Sequence, residues 1–294
     1  MRDVNGDEIP VITKEGNFII GLGLISRDER YLLASASNKI HGSAQFLYDV
    51  WDMKAREKVA SFSLPKGIID AILNNGNVIY NTILDFSDRA DGSSIEIYLF
   101  DTKKKEAKNL GRFSLELISP NDFSPDTAKF AYATYTELDA NHELKLFDLT
   151  TKTTKTLVQS INRNLSSADN WHWSPDGRKI VVDIAKRDDL KREGEVKIGI
   201  VDVASASFMQ LTAITIDALL PKAANESNRD IVGILPTAWD KEGKGFFIKA
   251  EGHIEYNDGT AREVDDIWYY NLENTSIKRL DFLSGKRHVY FANR

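Results

Sequence analysis

The chain has 294 residues, 42% of them apolar, and a formal net charge of −6 in which 38 basic side chains are dispersed among 44 acidic ones. This length and apolar content suffice for one large closed domain, and the dispersed charge offers no basic stripe to a nucleic-acid backbone, which excludes nucleic acid as the expected partner. With no cysteine in the chain, disulfides, thiolate metal sites and a cysteine nucleophile are excluded as well.

The first residues, MRDVNGDEIPVITKEGNF, are polar and acidic where a signal peptide needs a basic start and an apolar stretch, and no apolar run in the chain approaches membrane-spanning length. No membrane insertion by this chain is expected. Asp3, Asn5 and Asp7 alternate as calcium ligands do, but Glu8 stands where the loop glycine belongs. That segment reads as a strand and turn.

From there an internal repeat organises the sequence. Its first element is an apolar residue, a polar turn and a short apolar run. The turns are Ser26-Arg27-Asp28, Asn74-Asn75-Gly76, Ser124-Pro125-Asp126, Ser174-Pro175-Asp176-Gly177 and Asp240-Lys241-Glu242-Gly243. Ile25, Leu73, Phe123, Trp173 and Trp239 read as the apolar residues before the turns, and as core between units. His172 then aligns with Leu24, Ile72, Asp122 and Ala238.

The second element runs an apolar strand into Asp or Asn, through a polar turn and onto a closing strand. The spacing from Asp101 to Leu110 recurs from Asp148 to Leu157, from Asp202 to Leu211 and from Asn271 to Leu280; only the copy at Asp52 departs from it. Asp and Asn suit this position because the side-chain oxygen accepts backbone N–H groups two or three residues on and fixes a tight hairpin. These acids are structural.

Each unit therefore predicts four antiparallel strands, and units of this length match the blades of a propeller. The fold class is all-β, a six-bladed β-propeller forming a single domain. Five blades fall at about 18–62, 68–111, 118–158, 169–212 and 234–280. The sixth is split, with residues 1–13 as its outer strand and 281–294 as its inner strands, so that pairing of the N- and C-terminal strands closes the ring. The third strand of that blade is almost wholly missing before Asp3, which suggests a natural chain that began earlier, with a leader or anchor.

The pairing of WSPDGRKIVV with IVDVASASFMQLT is similar to the repeat of TolB-like β-propellers, most clearly in the third and fourth units and least in the first two, which lack the proline. The resemblance implies an extracytoplasmic bacterial protein that binds a protein, peptide or glycan without chemistry of its own and with no cofactor.

Catalytic signatures fail one by one. No G-x-S-x-G occurs, Gly92-Ser93-Ser94-Ile95-Glu96 lacking the second glycine. Gly21-Leu22-Gly23 has no third glycine, and His142-Glu143 lacks the second histidine of a zinc helix. The five histidines are scattered over five units, with His41, His142 and His253 in polar segments joining second and third strands. No catalytic residue and no metal ligand is assigned, and a propeller hydrolase or lyase with a metal or carboxylate site in the central channel is the alternative.

In a propeller the first strand of each blade lines the axis. The polar residues predicted near one axial mouth, opposite the Ser-Pro-Asp-Gly turns, are Asp70, Asn121, Asp122, Asp169, Asn170, His172 and Thr237. They are the candidate ligand-binding residues, and a wet channel accounts for part of their polarity. The same face receives the long insertions, of which EGHIEYNDGTAREVDD suggests a further hairpin at Asn257-Asp258-Gly259. The connection Leu219 to Gly233 suggests a short helix. The expected state is a monomer.

Overall fold

The computed structural model describes residues 18–26, 28–38, 45–64, 67–85, 93–115, 122–136, 141–161, 171–183 and 198–280. The expected closing unit, residues 1–13 and 281–294, lies outside them. Among the described residues the chain forms five antiparallel sheets, each built from strands that pair in chain order.

The first sheet contains β1 (Phe18–Ile25), β2 (Tyr31–Asn38), β3 (Gln45–Asp52) and β4 (Glu57–Ser63), and the second β5 (Ile68–Ile72), β6 (Val78–Asp85), β7 (Ser93–Asp101) and β8 (Glu106–Leu115). The third has β9 (Lys129–Thr136), β10 (Asn141–Asp148) and β11 (Thr154–Ile161), with Phe123 bridging to Phe130 where a first strand would run. The fourth has β12 (Trp171–Trp173), β13 (Lys179–Asp183), β14 (Ile198–Asp202) and β15 (Phe208–Gln210). A one-turn helix, α1 (Ile216–Leu219), leads to the fifth: β16 (Glu226–Trp239), β17 (Gly245–Tyr256), β18 (Ala261–Asn271) and β19 (Ile277–Arg279).

The turn between first and second strands is held by its serine. Ser174 Oγ donates to Asp176 Oδ1 at 2.7 Å and accepts the Lys179 N–H at 2.9 Å; Ser124 makes the same two bonds to Asp126 and Lys129, and Ser26 to Asp28 and Tyr31. The first copy forms without proline, so the serine and the acid two residues on specify this turn. The residue three after each serine has a positive φ: Glu29, Thr127 and Gly177.

The second unit corrects the alignment. Its turn is one residue shorter: the Leu73 N–H donates to Asn77 O, where the Ser174 N–H reaches Lys179 O. Leu73 thus stands where Ser174 does, and Ile72, not Leu73, ends the first strand. An apolar residue at the serine position hid the shift.

The turn between third and fourth strands is more uniform. Asp52, Asp101 and Asp148 each accept two backbone N–H groups through Oδ1, from residues two and three on, at 2.8 to 3.0 Å. Asp202 accepts the Ser205 N–H and Asn271 those of Glu273 and Asn274. Four residues after each of the five stands a non-glycine residue with φ between 55° and 59°: Arg56, Lys105, Lys152, Ala206 and Thr275. Side-chain bonds of this kind offset the cost of a left-handed residue. The departure at Asp52 also has a cause. Leu110 and Leu157 are the bulged residues of β8 and β11, whereas β4 bulges two places earlier, at the exposed Val59, and Phe62 takes the buried position.

Consecutive sheets pack face to face. Across the first three strands of each sheet runs an apolar row: Ile72, Val78 and Phe100; Phe123, Phe130 and Phe147; Trp173, Ile180 and Val201; Trp239, Phe246 and Tyr270. All twelve residues are buried, and each row sits in an apolar cluster shared with the preceding sheet. The tryptophans add a directional link. Trp173 Nε1 donates to Asp122 O at 3.0 Å and Trp239 Nε1 to His172 O at 2.8 Å, tying third to fourth sheet and fourth to fifth. The first sheet carries the equivalent row as Ile25, Leu32 and Trp51, and there Ile25 is 48% exposed.

The predicted short helix is displaced. α1 ends before Pro221, which pushes the preceding residue away from helical geometry, and Glu226 to Gly233 extend β16 instead. Asn257-Asp258-Gly259 do form a hairpin turn, the one that joins the extended far ends of β17 and β18, with the Gly259 N–H donating to Tyr256 O at 3.0 Å.

Candidate functional site

Opposite the serine turns lie the starts of the first strands and the ends of the second. Asp70 and Thr237 occupy equivalent places there, two residues before the end of β5 and β16, and both are bulged residues: the register shifts between Ile69 and Ala71 and between Pro236 and Ala238. β1 shifts in the same region, between Gly21 and Leu24. Bulges re-aim side chains, so the first strands share a local device for turning one residue out of the regular alternation.

Asp70 is buried, and Asn81 Nδ2 on β6 donates to its Oδ1 at 2.8 Å. Burial pushes the Asp70 carboxyl up to about 7, against a smaller downward pull from Asn81. Thr237 Oγ1 donates to Phe247 O at 3.3 Å. Asp122 and His172 fall one residue further along, both buried, with backbone carbonyls engaged by Trp173 and Trp239. Asn121, Asp169 and Asn170 lie outside the described residues.

This end of the sheets holds buried polar atoms without a protein partner: Asp70 Oδ2, Asn81 Oδ1, Thr134 Oγ1 and Trp171 Nε1. Sequence reasoning found Asp70 and missed the other three, since Asn81, Thr134 and Trp171 read as ordinary strand residues. Their signal is positional, at the strand ends remote from the serine turns.

The fifth sheet extends beyond this end as a three-stranded tongue formed by residues 226–233, 250–256 and 261–266. One face is closed by apolar contacts of Ile231, Ile254 and Val264 with Leu219 at the end of α1 and Leu220 after it. Arg229 fastens the connection, bonding Leu220 O at 2.7 Å and Glu226 at 2.7 Å. Burial pushes the Glu226 carboxyl up, but the Ala223 N–H and Arg229 outweigh it and hold the group below its ordinary range. Buried Asp266 is clamped by Arg262 and, at 2.8 Å, by Arg279.

The other face of the tongue is charged. Lys249 meets Glu251 and, at 3.4 Å, Asp265; His253 Nδ1 lies 3.0 Å from Glu263 and Nε2 3.7 Å from Glu255. His253 thus stands within β17, and His142 within β10, rather than in the loops predicted for them. No group of three or more His, Asp or Glu residues suited to a metal occurs among the described residues, and among them no helix is long and apolar enough to cross a membrane.

No protein-family model matches the chain, and no curated protein matches it. Solved structures do. A dipeptidyl aminopeptidase IV described as putative, from Bacteroides ovatus, is similar with a TM-score of 0.54 at 10% identity over 94% of this chain and 43% of its own. An oligogalacturonate lyase in complex with manganese gives 0.52 at 10% identity over 80% of this chain and 63% of its own. TolB from Acinetobacter baumannii gives 0.35 at 12% identity over 87% and 71%. The chain thus spans less than two thirds of the lyase and less than half of the peptidase. Identities this low speak to fold alone, and the fold is a β-propeller of antiparallel sheets packed face to face.

Proposed function

We propose that this propeller is a non-catalytic recognition domain that binds a protein, peptide or glycan at the end of the sheets opposite the serine turns. One observation carries the reading: the two ends differ in regularity. The serine turns keep one hydrogen-bond pattern through three units, while the opposite end carries the first-strand bulges, four buried polar atoms without a protein partner and the tongue. In repeat arrays, variation gathered on one face over a constant scaffold marks the binding surface. The candidate contacts are Asp70, Asn121, Asp122, Asp169, Asn170, His172 and Thr237 at the mouth, with the charged face of the tongue beside them.

The same reading includes a monomer outside the cytoplasm and a ring of six units closed by residues 1–13 and 281–294. Support for closure comes from the row Ile25, Leu32 and Trp51, whose equivalents in the other sheets are all buried against a preceding sheet. The chain lacks cysteine, so an Ile25→Cys, Tyr290→Cys pair tests closure directly: a disulfide formed in the monomer supports it, and failure to cross-link opposes it.

The binding reading is tested with a panel of glycans and peptides, using the parent chain and charge-reversal variants at Asp122, Asp169 and His172. Binding lost in those variants and kept when Asp176 in a serine turn is replaced supports the site. Elemental analysis decides against the catalytic alternative or for it. A stoichiometric, tightly held divalent ion, or cleavage of oligogalacturonate in the presence of manganese, replaces the recognition reading with the lyase one.

A further inference from the structure

The Asp70–Asn81 pair contains an imbalance that identifies its protonation state. One hydrogen bond joins the two side chains, from Asn81 Nδ2 to Asp70 Oδ1 at 2.8 Å. Two buried atoms remain, Asp70 Oδ2 and Asn81 Oδ1, neither with a protein partner. With the acid ionised both are acceptors and cannot satisfy one another. A proton on Asp70 Oδ2 converts that oxygen to a donor, and the orphan acceptor belongs to the amide already bound to the same carboxyl group.

We propose that at mildly acidic pH Asp70 is protonated and forms with Asn81 a cyclic carboxylic acid–carboxamide pair, two parallel hydrogen bonds that clamp β5 to β6 where the strand register is broken, and that ionisation opens this clamp.

The location explains the need for it. Backbone pairing of β5 with β6 is interrupted at Asp70 itself, so a side-chain link supplies what the ladder lacks there. Burial and the Asn81 hydrogen bond act on the Asp70 carboxyl, with no charged group among the causes. β5 has no other titratable residue and β1 none at all; β2 brings Tyr31 and β6 Tyr80, and the apolar clusters that Ile69, Ala71 and Ile72 join add Tyr48, Tyr98 and Tyr132. Tyr80 is pushed up by burial and so is neutral at any pH that matters here. Burial dominates Asp70 and raises it to about 7. The folded state therefore holds the proton more tightly than the unfolded chain: the contribution to stability is complete below the ordinary value of 3.8 and is lost as pH rises through about 7.

The decisive measurement is the pH titration of the Asp70 side-chain carboxyl carbon by NMR in the full chain, assigned through the Asp70 backbone. The expected result is a midpoint near 7, with neutral acid in roughly tenfold excess one pH unit below it. An Asp70 carbon fully ionised at pH 6 overturns the proposal. Asp70→Asn adds an independent arm, because an amide at 70 presents the acceptor and donor of the protonated acid at every pH. Its thermal midpoint should stay flat where that of the parent falls between about pH 4 and about pH 7; an identical fall in the variant overturns the clamp. The carbon titration needs no variant, so misfolding of Asp70→Asn leaves the proposal open to refutation.

Discussion

At the serine-turn end of the sheets, Ser26, Ser124 and Ser174 repeat one pair of hydrogen bonds, and five Asp or Asn side chains repeat another between third and fourth strands. At the opposite end, Asp70 Oδ2, Asn81 Oδ1, Thr134 Oγ1 and Trp171 Nε1 are buried without a protein partner. A buried donor or acceptor left unmade costs on the order of 1–3 kcal/mol. The turn end thus fixes structure with local, interchangeable bonds, although Trp51 Nε1 is buried there without a protein partner. The opposite end of the second, third and fourth sheets retains unused hydrogen-bonding capacity in the wall of the fold.

Trp173 should give the largest effect if the turn end is the scaffold. Trp173→Ala empties a site at the junction of third and fourth sheets and is expected to cost about 3–5 kcal/mol in urea unfolding. Next comes pH, which divides the two ends. At the turns, the Ala55 N–H and then Arg30 lower Asp52, and the N–H groups of Lys104, Thr151 and Ser205 are the main cause of lowering at Asp101, Asp148 and Asp202. Burial pushes Asp126 and Asp176 up, but Ser124 and Ser174 lead a larger downward pull. Stability from these groups is present above the ordinary value of 3.8 and lost as pH falls through their lowered values. Asp70 works in reverse, with stability lost as pH rises through about 7. Thermal melts should accordingly peak at about pH 4 and decline from there to about pH 7, and Asp70→Asn should flatten only that decline.

A sharper comparison uses two residues of one short strand. Trp173→Phe keeps most of the packing but strands the buried Asp122 carbonyl, at about 1–3 kcal/mol. Trp171→Phe removes an N–H that has no partner and should be neutral or stabilising. Equal losses in the two variants would erase the distinction drawn between the ends. Ser174→Ala should cost about 1–2 kcal/mol by freeing the Lys179 N–H and the Asp176 carboxylate. The smallest effect is expected at Lys152, where φ is 59°: Lys152→Gly relieves the left-handed strain and should raise the unfolding midpoint slightly, by up to ~1 kcal/mol.

These contrasts also mark what the sequence could reveal. The turn acids were legible because their chemistry is local: an oxygen, two N–H groups and a fixed spacing. Leu73 was misplaced because the same turn, one residue shorter, puts an apolar side chain where serine belongs. The spacing from Asp52 failed because the bulge of β4 sits at Val59 rather than at the closing residue. Asn81 escaped notice because its importance depends on a partner eleven residues away in the next strand and on a bulge that no local pattern announces. Asp70, Asp122, His172 and Thr237 were picked as one axial set. The structure separates them into a bulged pair, Asp70 and Thr237, and a buried pair one residue further along.

The pairing order within each sheet has a kinetic consequence. Among the described residues every strand pairs only with its neighbours in the chain, so each of these five sheets closes through local loops, at small entropic cost. The long loops are closed only when sheets dock, as when Trp173 finds Asp122 and Trp239 finds His172, 51 and 67 residues away. Hairpins should therefore form early, with indole burial at the sheet junctions following as a later step. Protection of the Trp173 and Trp239 indole protons would then appear after that of the turn amides, and refolding followed by exchange would read assembly one junction at a time.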